Sequence, residues 1–273
     1  MTNLRTSGSS LGTAVVTGAS AGIGKVYADR LAQRGFDLVL VARRGDKLET
    51  IAAAIRKTHD VAVETIVADL GKVADLERIA ALVGSSDPRV TMLVNNAGTS
   101  KMASVADTGL TATTAMTDLN VTALVSLSLA ALTAFKARDH GTIVNIGSIL
   151  GFHSLPISSV YSATKGYVLN FTRGLQDETQ GTGVKVQLVL PASTATDLWE
   201  IAGVPISHLD PASVMTVEDC VDAAMAGLDL GERITFPSVE SAGELLATYD
   251  AARMALLGAS QTGRPASRYL LPS

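Results

Sequence analysis

The two side chains best suited to proton transfer are Tyr161 and Lys165, which lie four positions apart. In a helix, residues at this spacing share a face and their side chains meet. A nearby ammonium group stabilises a phenolate, so Lys165 is predicted to lower the pKa of the Tyr161 phenol. Tyr161 is therefore a candidate acid or base at neutral pH. Ser148 adds a hydroxyl upstream, at the end of an apolar run.

Strand-like and helix-like segments alternate along most of the chain and would position these side chains. The predicted strands are apolar throughout and cover Thr13–Thr17, Phe36–Ala42, Val61–Ala68, Val90–Val94, Thr142–Ile146 and Val184–Leu190. The predicted helices cover Gly22–Arg34, Asp46–Thr58, Val73–Val83, Thr113–Ala137, Ser158–Gln180 and Glu240–Gly258. Continuous apolar strands are typical of a parallel sheet with helices on both faces. The sequence therefore predicts a doubly wound, three-layer α/β fold, with one domain over residues 11–273 after a flexible lead at residues 1–10.

Composition and charge argue against several classes of protein. The 273 residues are 47% hydrophobic, and 22 basic residues against 26 acidic ones give a net charge of −4. This balance argues against a nucleic-acid partner. The apolar stretch Val121–Phe135 is too short to span a bilayer, and residues 1–10 lack the apolar centre of a secretory signal. We therefore expect a cytoplasmic protein without a membrane partner.

The positions of the cysteine and the histidines in the sequence do not indicate a metal site. Cys220 is the only cysteine, which excludes an internal disulfide and fits a reducing compartment. It lies where a helix is predicted to begin, and a buried structural thiol is favoured over a nucleophile there. The four histidines, His59, His140, His153 and His208, are scattered along the chain. His153 and His208 are candidates for the substrate entrance, with a surface role as the alternative.

The segment from Pro191 to Met215 breaks the alternation of strands and helices. It is too irregular for a regular element and too apolar to be fully solvated, with Trp199 and Ile201 among its side chains. A lid over an apolar pocket would explain this composition. An ordinary surface excursion that packs on the sheet is the alternative.

A glycine-rich turn lies between the first predicted strand and the first predicted helix, at Thr17–Gly24. Glycines permit a tight turn and a close approach of the backbone, and the helix N-terminus presents free N–H groups to a phosphate. The strand–turn–helix context supports a dinucleotide site over a plain glycine turn. The candidate cofactor contacts in this turn are Gly18, Ser20, Gly22, Ile23 and Gly24.

The end of the second predicted strand indicates which cofactor binds. An NAD-preferring site places an acid there to bind the ribose 2′-hydroxyl, whereas this chain has Ala42 followed by Arg43 and Arg44. Two guanidinium groups can bind a 2′-phosphate, so NADP(H) is predicted, although both arginines could also simply cap the strand in water. Asp69 is placed to meet the adenine amino group. Asn95–Gly98 would lie beside the adenosine ribose.

Together these motifs resemble those of the short-chain dehydrogenase/reductase family. The resemblance covers residues 12–196 and follows the family's order and spacing through Thr17–Gly24, Asp69-Leu70, Asn95-Asn96-Ala97-Gly98, Asn120, Ser148, Tyr161-x-x-x-Lys165 and Pro191–Thr196. It implies a single-domain, NADP-preferring enzyme with a Rossmann fold. Leu70, Asn96, Ala97, Gly98, Pro191, Thr194 and Thr196 would join the cofactor contacts.

The resemblance also implies a role for each catalytic candidate. Tyr161 would be the acid in ketone reduction and the base in alcohol oxidation, and Ser148 would hydrogen-bond the substrate oxygen. Lys165 would hold the nicotinamide ribose, and Asn120 would hold a water that links Lys165 to solvent. Three positions depart from the family: Ala192 replaces a usual glycine, Thr194 replaces a usual aliphatic residue, and Ala21 replaces a residue that is often basic or hydroxyl-bearing.

The predicted function is NADP(H)-dependent interconversion of a hydrophobic ketone or aldehyde and its alcohol. The candidate pocket residues are mostly apolar: Leu150, Phe152, His153, Leu155, Trp199 and Ile201, with Lys101 and Met102 near the rim. One alternative is a 3-oxoacyl thioester reductase, and an alternative of another class is a non-catalytic NADP-binding sensor. The apolar surface of the two longest predicted helices favours a homodimer or homotetramer.

Overall fold

One parallel sheet organises the part of the chain that the computed structural model describes, residues 11–270. The predicted flexible lead, residues 1–10, lies outside the described residues, as do residues 271–273. The strands found among the described residues are β1 (Thr13–Thr17), β2 (Asp37–Ala42), β3 (Val63–Val67), β4 (Val90–Asn95), β5 (Gly141–Ile146), β6 (Val184–Val189) and β7 (Ile234–Thr235). Their order is β3-β2-β1-β4-β5-β6-β7, and all pairs are parallel.

Helices connect these strands. They are α1 (Gly22–Gln33), α2 (Gly45–Thr58), α3 (Val73–Val83), α4 (Val105–Thr117), α5 (Leu124–Ala137), α6 (Ser159–Glu178), α7 (Leu198–Ala202), α8 (Val217–Asp229) and α9 (Ala242–Ser260). Buried residues of α1, α2 and α8 form a core on one face of the sheet. Residues of α3, α5 and α6 form a core on the other face. The predicted doubly wound, three-layer fold is confirmed.

The strands and helices form where the sequence pattern predicts them for ordinary physical reasons. All five residues of β1 and all six of β2 are buried, which suits continuous β-branched and leucine-rich segments. Side-chain caps begin two helices: the Ser104 hydroxyl accepts from the Asp107 N–H at α4, and the Thr216 hydroxyl accepts from the Asp219 N–H at α8.

The helix predicted at Thr113–Ala137 differs from the observed one. The helical stretch begins earlier, at Val105, bends at Gly109, and contains a π-helical segment at Asp118–Ala123 between α4 and α5. By length and composition, this stretch of the described chain would suffice to cross a membrane. Part of its most apolar window, 44%, is buried inside the protein, and α5 lies within the core described above.

Two further elements differ from the prediction: one strand was not predicted, and one helix is shifted. Strand β7 has only two residues, too few to show an apolar pattern. The C-terminal helix runs over Ala242–Ser260, two residues later than expected. The chain divides into two compact units, with the whole sheet before Ser238 and α9 after Val239. The prediction of one domain over residues 11–273 stays a prediction.

The strand order creates a crevice at the carboxyl ends of β1 and β4. The order reverses between β1 and β4, because β2 and β3 extend from one side of β1 while β4 to β7 extend from the other. In open α/β sheets, ligands bind outside the carboxyl ends of the strands at such a switch point. The glycine turn follows β1, and the Asn95–Gly98 segment begins at the end of β4.

Candidate active site

The glycine turn after β1 is shaped by close backbone approaches. Gly18 has a φ of +67°, and a Cβ added there would lie 2.7 Å from the Asn96 Nδ2. Gly22 has a φ of +52°, and a Cβ there would lie 3.2 Å from the Thr196 Cγ2. Left-handed backbone conformations favour glycine, so both positions require it. The turn thus packs closely against Asn96 on one side and Thr196 on the other, next to the N-terminus of α1.

The end of β2 presents the two predicted arginines. Arg43 is exposed. The Arg44 guanidinium donates from its Nε and Nη2 to the Ser20 hydroxyl, at 3.2 and 3.0 Å. The side chains predicted to bind a 2′-phosphate therefore lie next to the glycine turn.

The segment after β4 is fixed by Thr17. The Thr17 hydroxyl accepts from the backbone N–H groups of Asn96 and Ala97, at 3.0 and 3.1 Å. The Asn96 amide donates to the Thr17 carbonyl at 2.9 Å. Gly98 lies at the same edge of the sheet, where a Cβ would come within 3.2 Å of the Asn120 Oδ1. These bonds lock the predicted ribose-contacting segment to the glycine turn.

The predicted adenine contact lies at the end of β3. The Asp69 carboxylate accepts from the Gly71 N–H at 3.2 Å, and the Asp69 N–H donates to the Asp75 carboxylate at 2.8 Å. Leu70 is buried beside it. Asp69 is partly exposed and keeps carboxylate oxygen available at the sheet edge.

Asn120 lies in the π-helical segment, and its side chain is bound on both sides. Its Oδ1 accepts from the Thr99 N–H at 2.8 Å, and its Nδ2 donates to the Thr99 carbonyl at 2.9 Å and to the Thr164 hydroxyl at 3.1 Å. Thr164 in turn donates to the Tyr161 carbonyl at 2.7 Å. Asn120 therefore connects the segment after β4 to the helix that carries Tyr161 and Lys165.

Tyr161 and Ser148 form the centre of the site. Both side chains are buried. Burial raises the pKa of Tyr161 to about 12, and the Ser148 hydroxyl, which lowers the pKa of the phenol, only partly opposes this effect. The predicted lowering of this pKa is therefore wrong, because loss of solvation outweighs the other effects. At neutral pH the Tyr161 phenol keeps its proton.

Lys165 is buried beside Tyr161. Its Nζ donates to the Ile146 carbonyl at 2.9 Å and lies 5.8 Å from the centroid of the Tyr161 ring. Burial lowers the pKa of Lys165 from 10.5 to about 8. The amine is therefore mostly protonated at pH 7 but loses its charge in mildly alkaline solution.

A buried polar network lies beneath these residues. The Asn95 Nδ2 donates to the Ser128 hydroxyl and to the Asn145 Oδ1, both at 2.9 Å. The Asn145 Nδ2 donates to the Thr172 hydroxyl at 3.0 Å. This network joins β4 and β5 to α5 and α6, and it fixes the helices that carry the site against the sheet.

The segment Pro191–Met215, which we call the lid segment, is closed at its base. A bridge joins Thr194 to Met215, with the Ala195 N–H donating to the Met215 carbonyl at 2.9 Å. The Trp199 indole donates to the Thr194 carbonyl at 2.9 Å. The lid segment contains α7 and short turns at Ile206–His208 and Pro211–Ser213. Thr194 also interacts with the Cys220 thiol. Burial raises the pKa of this thiol, as expected of a structural cysteine.

The predicted pocket residues fall into two groups. Leu150 follows Ser148 closely in the chain and is partly buried, as is Trp199 in the lid segment, whereas Ile201 is exposed. Phe152 instead stacks on Phe236, with 5.9 Å between ring centroids, and belongs to a hydrophobic cluster with residues of α6 and β6.

Three other predicted residues lie at the surface around the site. His153, Leu155 and Lys101 are exposed. Met102 reaches the lid segment, because its N–H donates to the Ala202 carbonyl at 2.9 Å. Pro191 is bound to the loop that follows Ser148, since its carbonyl accepts from the Ile149 N–H at 3.0 Å.

Comparison with known proteins identifies the family. Residues 12–203 match the sequence profile of the short chain dehydrogenases. The chain is a short-chain dehydrogenase/reductase. A short-chain dehydrogenase from Sphingobium yanoikuyae, solved in complex with NADPH, is 40% identical with a TM-score of 0.90, over 95% of this chain and 100% of that one. This short-chain dehydrogenase/reductase is an oxidoreductase that acts on CH–OH groups with a nicotinamide cofactor, NAD(P)(H).

Two more relatives bear on the substrate. The bulky-bulky ketone specific alcohol dehydrogenase from Comamonas testosteroni is 35% identical with a TM-score of 0.88, over 96% of this chain and 100% of that one. The very-long-chain 3-oxoacyl-CoA reductase-A of Danio rerio is 34% identical over 210 residues, which are 75% of this chain and 65% of the relative. The chain thus spans just under two thirds of that reductase's length.

The residues of this dehydrogenase/reductase fit NADP(H). The N-terminus of α1 has no side-chain cap, so its free N–H groups suit a pyrophosphate. Arg43 and Arg44 suit a 2′-phosphate. Lys165 supplies ammonium N–H donors next to Tyr161, where it would hold the nicotinamide ribose. When bound, the cofactor supplies the hydride for reduction or accepts it in oxidation.

The chain's own residues carry out the proton transfer. In reduction, the protonated Tyr161 donates its proton to the carbonyl oxygen, while the Ser148 hydroxyl donates a hydrogen bond to that oxygen. The charged Lys165 stabilises the phenolate that Tyr161 becomes. In oxidation the same phenolate takes the proton from the alcohol. Asn120 donates to the Thr164 hydroxyl, which donates to the Tyr161 carbonyl, so these two residues help to fix the position of Tyr161.

The positioning roles of three residues were not predicted from the sequence. Thr17 holds the segment after β4, Thr164 joins Asn120 to Tyr161, and the Ile146 carbonyl receives the Lys165 ammonium. Thr164 offered a signal, as a hydroxyl residue within the Tyr161–Lys165 motif. The Ile146 contact offered none, because a backbone carbonyl leaves no trace in the residue types.

Proposed function

We propose that the protein reduces bulky, hydrophobic ketones or aldehydes to alcohols with NADPH, or catalyses the reverse oxidation. The observation that carries the proposal is the arrangement of Tyr161, Ser148 and Lys165, which are buried together, with the Lys165 Nζ 5.8 Å from the centroid of the Tyr161 ring. A phenol beside a hydroxyl group and an ammonium group can donate its proton to a carbonyl oxygen, as ketone reduction requires. The likeness to the bulky-ketone dehydrogenase of Comamonas testosteroni supports this substrate class.

The charge of the lid segment supports a neutral substrate. Its acidic residues are Asp197, Glu200 and Asp210, and it contains no lysine or arginine. Carboxylates close to the entrance would repel a substrate that carries several phosphates. The apolar side chains of Trp199 and Leu150 would favour hydrocarbon groups on both sides of the carbonyl.

Reduction of 3-oxoacyl thioesters is the second candidate. It is favoured by the 34% identity to the very-long-chain 3-oxoacyl-CoA reductase-A of Danio rerio. Coenzyme A is strongly anionic, and a coenzyme A ester would need basic groups at the entrance. The exposed Lys101 is one such group near the predicted rim.

The test follows NADPH absorbance with purified full-length protein. The substrates are aryl ketones with two bulky groups, simple aldehydes, and 3-oxoacyl thioesters of coenzyme A and of the neutral N-acetylcysteamine. We expect the highest kcat/KM with bulky ketones, and a higher value for the neutral thioester than for the coenzyme A ester. A higher kcat/KM for the coenzyme A ester than for all ketones would overturn the proposal in favour of the second candidate.

We further propose that the enzyme is a homotetramer or homodimer in the cytoplasm. Leu129 on α5 and Tyr167 on α6 are large apolar side chains with 61% and 50% of their surface exposed. Burying such side chains against a second copy would remove this apolar surface from water. The single, buried Cys220 thiol suits a reducing compartment.

A further inference from the structure

The Arg44 guanidinium lies between the glycine turn and the lid segment. Two of its nitrogens donate to Ser20, and the third, Nη1, lies 4.0 Å from the Asp197 Oδ2. Both charged side chains are accessible, with 45% of Arg44 and 61% of Asp197 exposed. The arginine predicted to bind the 2′-phosphate therefore already faces an anion of the protein.

The position of Asp197 is set by local structure. It precedes α7, yet its carboxylate makes no capping hydrogen bond to that helix, so it stays available to Arg44. Its neighbour Thr196 lies against Gly22, and the Thr196 N–H donates to the Thr194 carbonyl at 2.8 Å. The contact between Thr196 and Gly22 places this stretch beside the glycine turn. The carboxylate is thus held near the site where the phosphate groups of the cofactor would bind.

We propose that Asp197 is a specificity-determining residue that competes with the 2′-phosphate of NADP(H) for Arg44. A carboxylate and a phosphate cannot both take the free edge of one guanidinium without repelling each other. Arg43 is exposed and is free of this competition. Asp197 therefore weakens the binding of the 2′-phosphate and has no effect on a cofactor that lacks this group. The proposal rests on the use of NADP(H) and is independent of the substrate.

The test measures binding, not turnover. Trp199 is the only tryptophan and lies two residues from Asp197, so its fluorescence can follow titrations of the full-length protein with NADPH and NADH. Titrations with 2′,5′-ADP and 5′-AMP, followed by calorimetry, isolate the contribution of the 2′-phosphate. The matched control is Glu200→Gln, which removes the same charge from α7, where Glu200 has no ion pair with Arg44.

We expect Asp197→Asn to lower the Kd for NADPH and for 2′,5′-ADP about two- to fivefold, the range for an exposed charge pair. The Kd for NADH and 5′-AMP stays unchanged, as do all values in Glu200→Gln. The gain shrinks in 0.5 M salt, because exposed charges are screened. In an Arg44→Met background, Asp197→Asn changes the Kd for NADPH by less than half as much.

Three results would overturn the proposal. One is a Kd for NADPH that is unchanged or higher in Asp197→Asn, which would mean that Asp197 holds Arg44 in position. Another is an equal change for NADPH and NADH. The third is an undiminished effect in the Arg44→Met background, since the competition would then not involve Arg44.

Discussion

Replacing Lys165 by methionine should abolish turnover and also change how stability depends on pH. The Lys165 ammonium is buried, and its one hydrogen bond is to the Ile146 carbonyl. A pKa that falls from 10.5 to about 8 on folding corresponds to about 3 kcal/mol of lost stability at pH 7. Methionine has a similar shape and carries no charge, so this penalty disappears in the variant.

The sign of the pH effect follows from proton binding. The unfolded chain holds the Lys165 proton more tightly than the folded chain does, so the penalty is complete below about pH 8. It is lost as the pH rises towards 10.5, where the unfolded lysine also becomes neutral. Relative to Lys165→Met, the wild type should therefore gain about 2 kcal/mol in free energy of unfolding between pH 7 and pH 10.

The measurement is urea denaturation of both proteins at pH 7, 8, 9 and 10, at one fixed protein concentration. Effects of all other titrating groups cancel in the difference between the two proteins. Lys185→Met is the matched control, because Lys185 is exposed on β6, and it should give a curve parallel to that of the wild type. Parallel curves for the wild type and Lys165→Met would refute the idea that Lys165 is buried as a charged group.

Three other perturbations test the site. Tyr161→Phe should reduce kcat at least about 100-fold while the Kd for NADPH changes less than about twofold, because only the proton donor is lost; retained turnover would sink the mechanism. Ketone reduction should lose kcat/KM above about pH 8, as Lys165 loses its charge, and a pH profile that is flat up to pH 10 would contradict this. Arg43→Ala combined with Ala42→Asp should lower the ratio of kcat/KM for NADPH to that for NADH at least about tenfold, and an unchanged ratio would show that these positions do not bind the 2′-phosphate. Light scattering should give the mass of a dimer or tetramer, and a monomer would disprove the proposed assembly.

Much of the fold could be predicted because the relevant signals are local. Strands such as Thr13–Thr17 are continuous apolar runs between turns, and the observed β1 has the same bounds. The two-residue β7 could not be found, since two residues carry no periodicity. The π-helical segment at Asp118–Ala123 was not predicted either, and the bond between its Asn120 and Thr99, 21 positions apart, leaves no local pattern in the sequence.

The candidate site, like the fold, could be predicted only in part. The residue types of Ser148, Tyr161 and Lys165 and their spacing predicted which groups meet. They did not predict the pKa of Tyr161, because burial of the phenol is a property of the folded chain that the residue types and their spacing do not contain. The contact between Arg44 and Asp197 joins residues about 150 positions apart, and no local pattern reveals such a pair.

The polar network of Asn95, Ser128, Asn145 and Thr172 has a consequence for how this enzyme can be altered. Each member satisfies another, so a single apolar replacement would leave buried donors or acceptors unpaired and cost about 1–3 kcal/mol. The lid segment, in contrast, is mostly exposed or half-buried between its bridged ends at Thr194 and Met215. Directed evolution of substrate range should therefore accumulate changes in the lid segment and leave the buried polar network untouched.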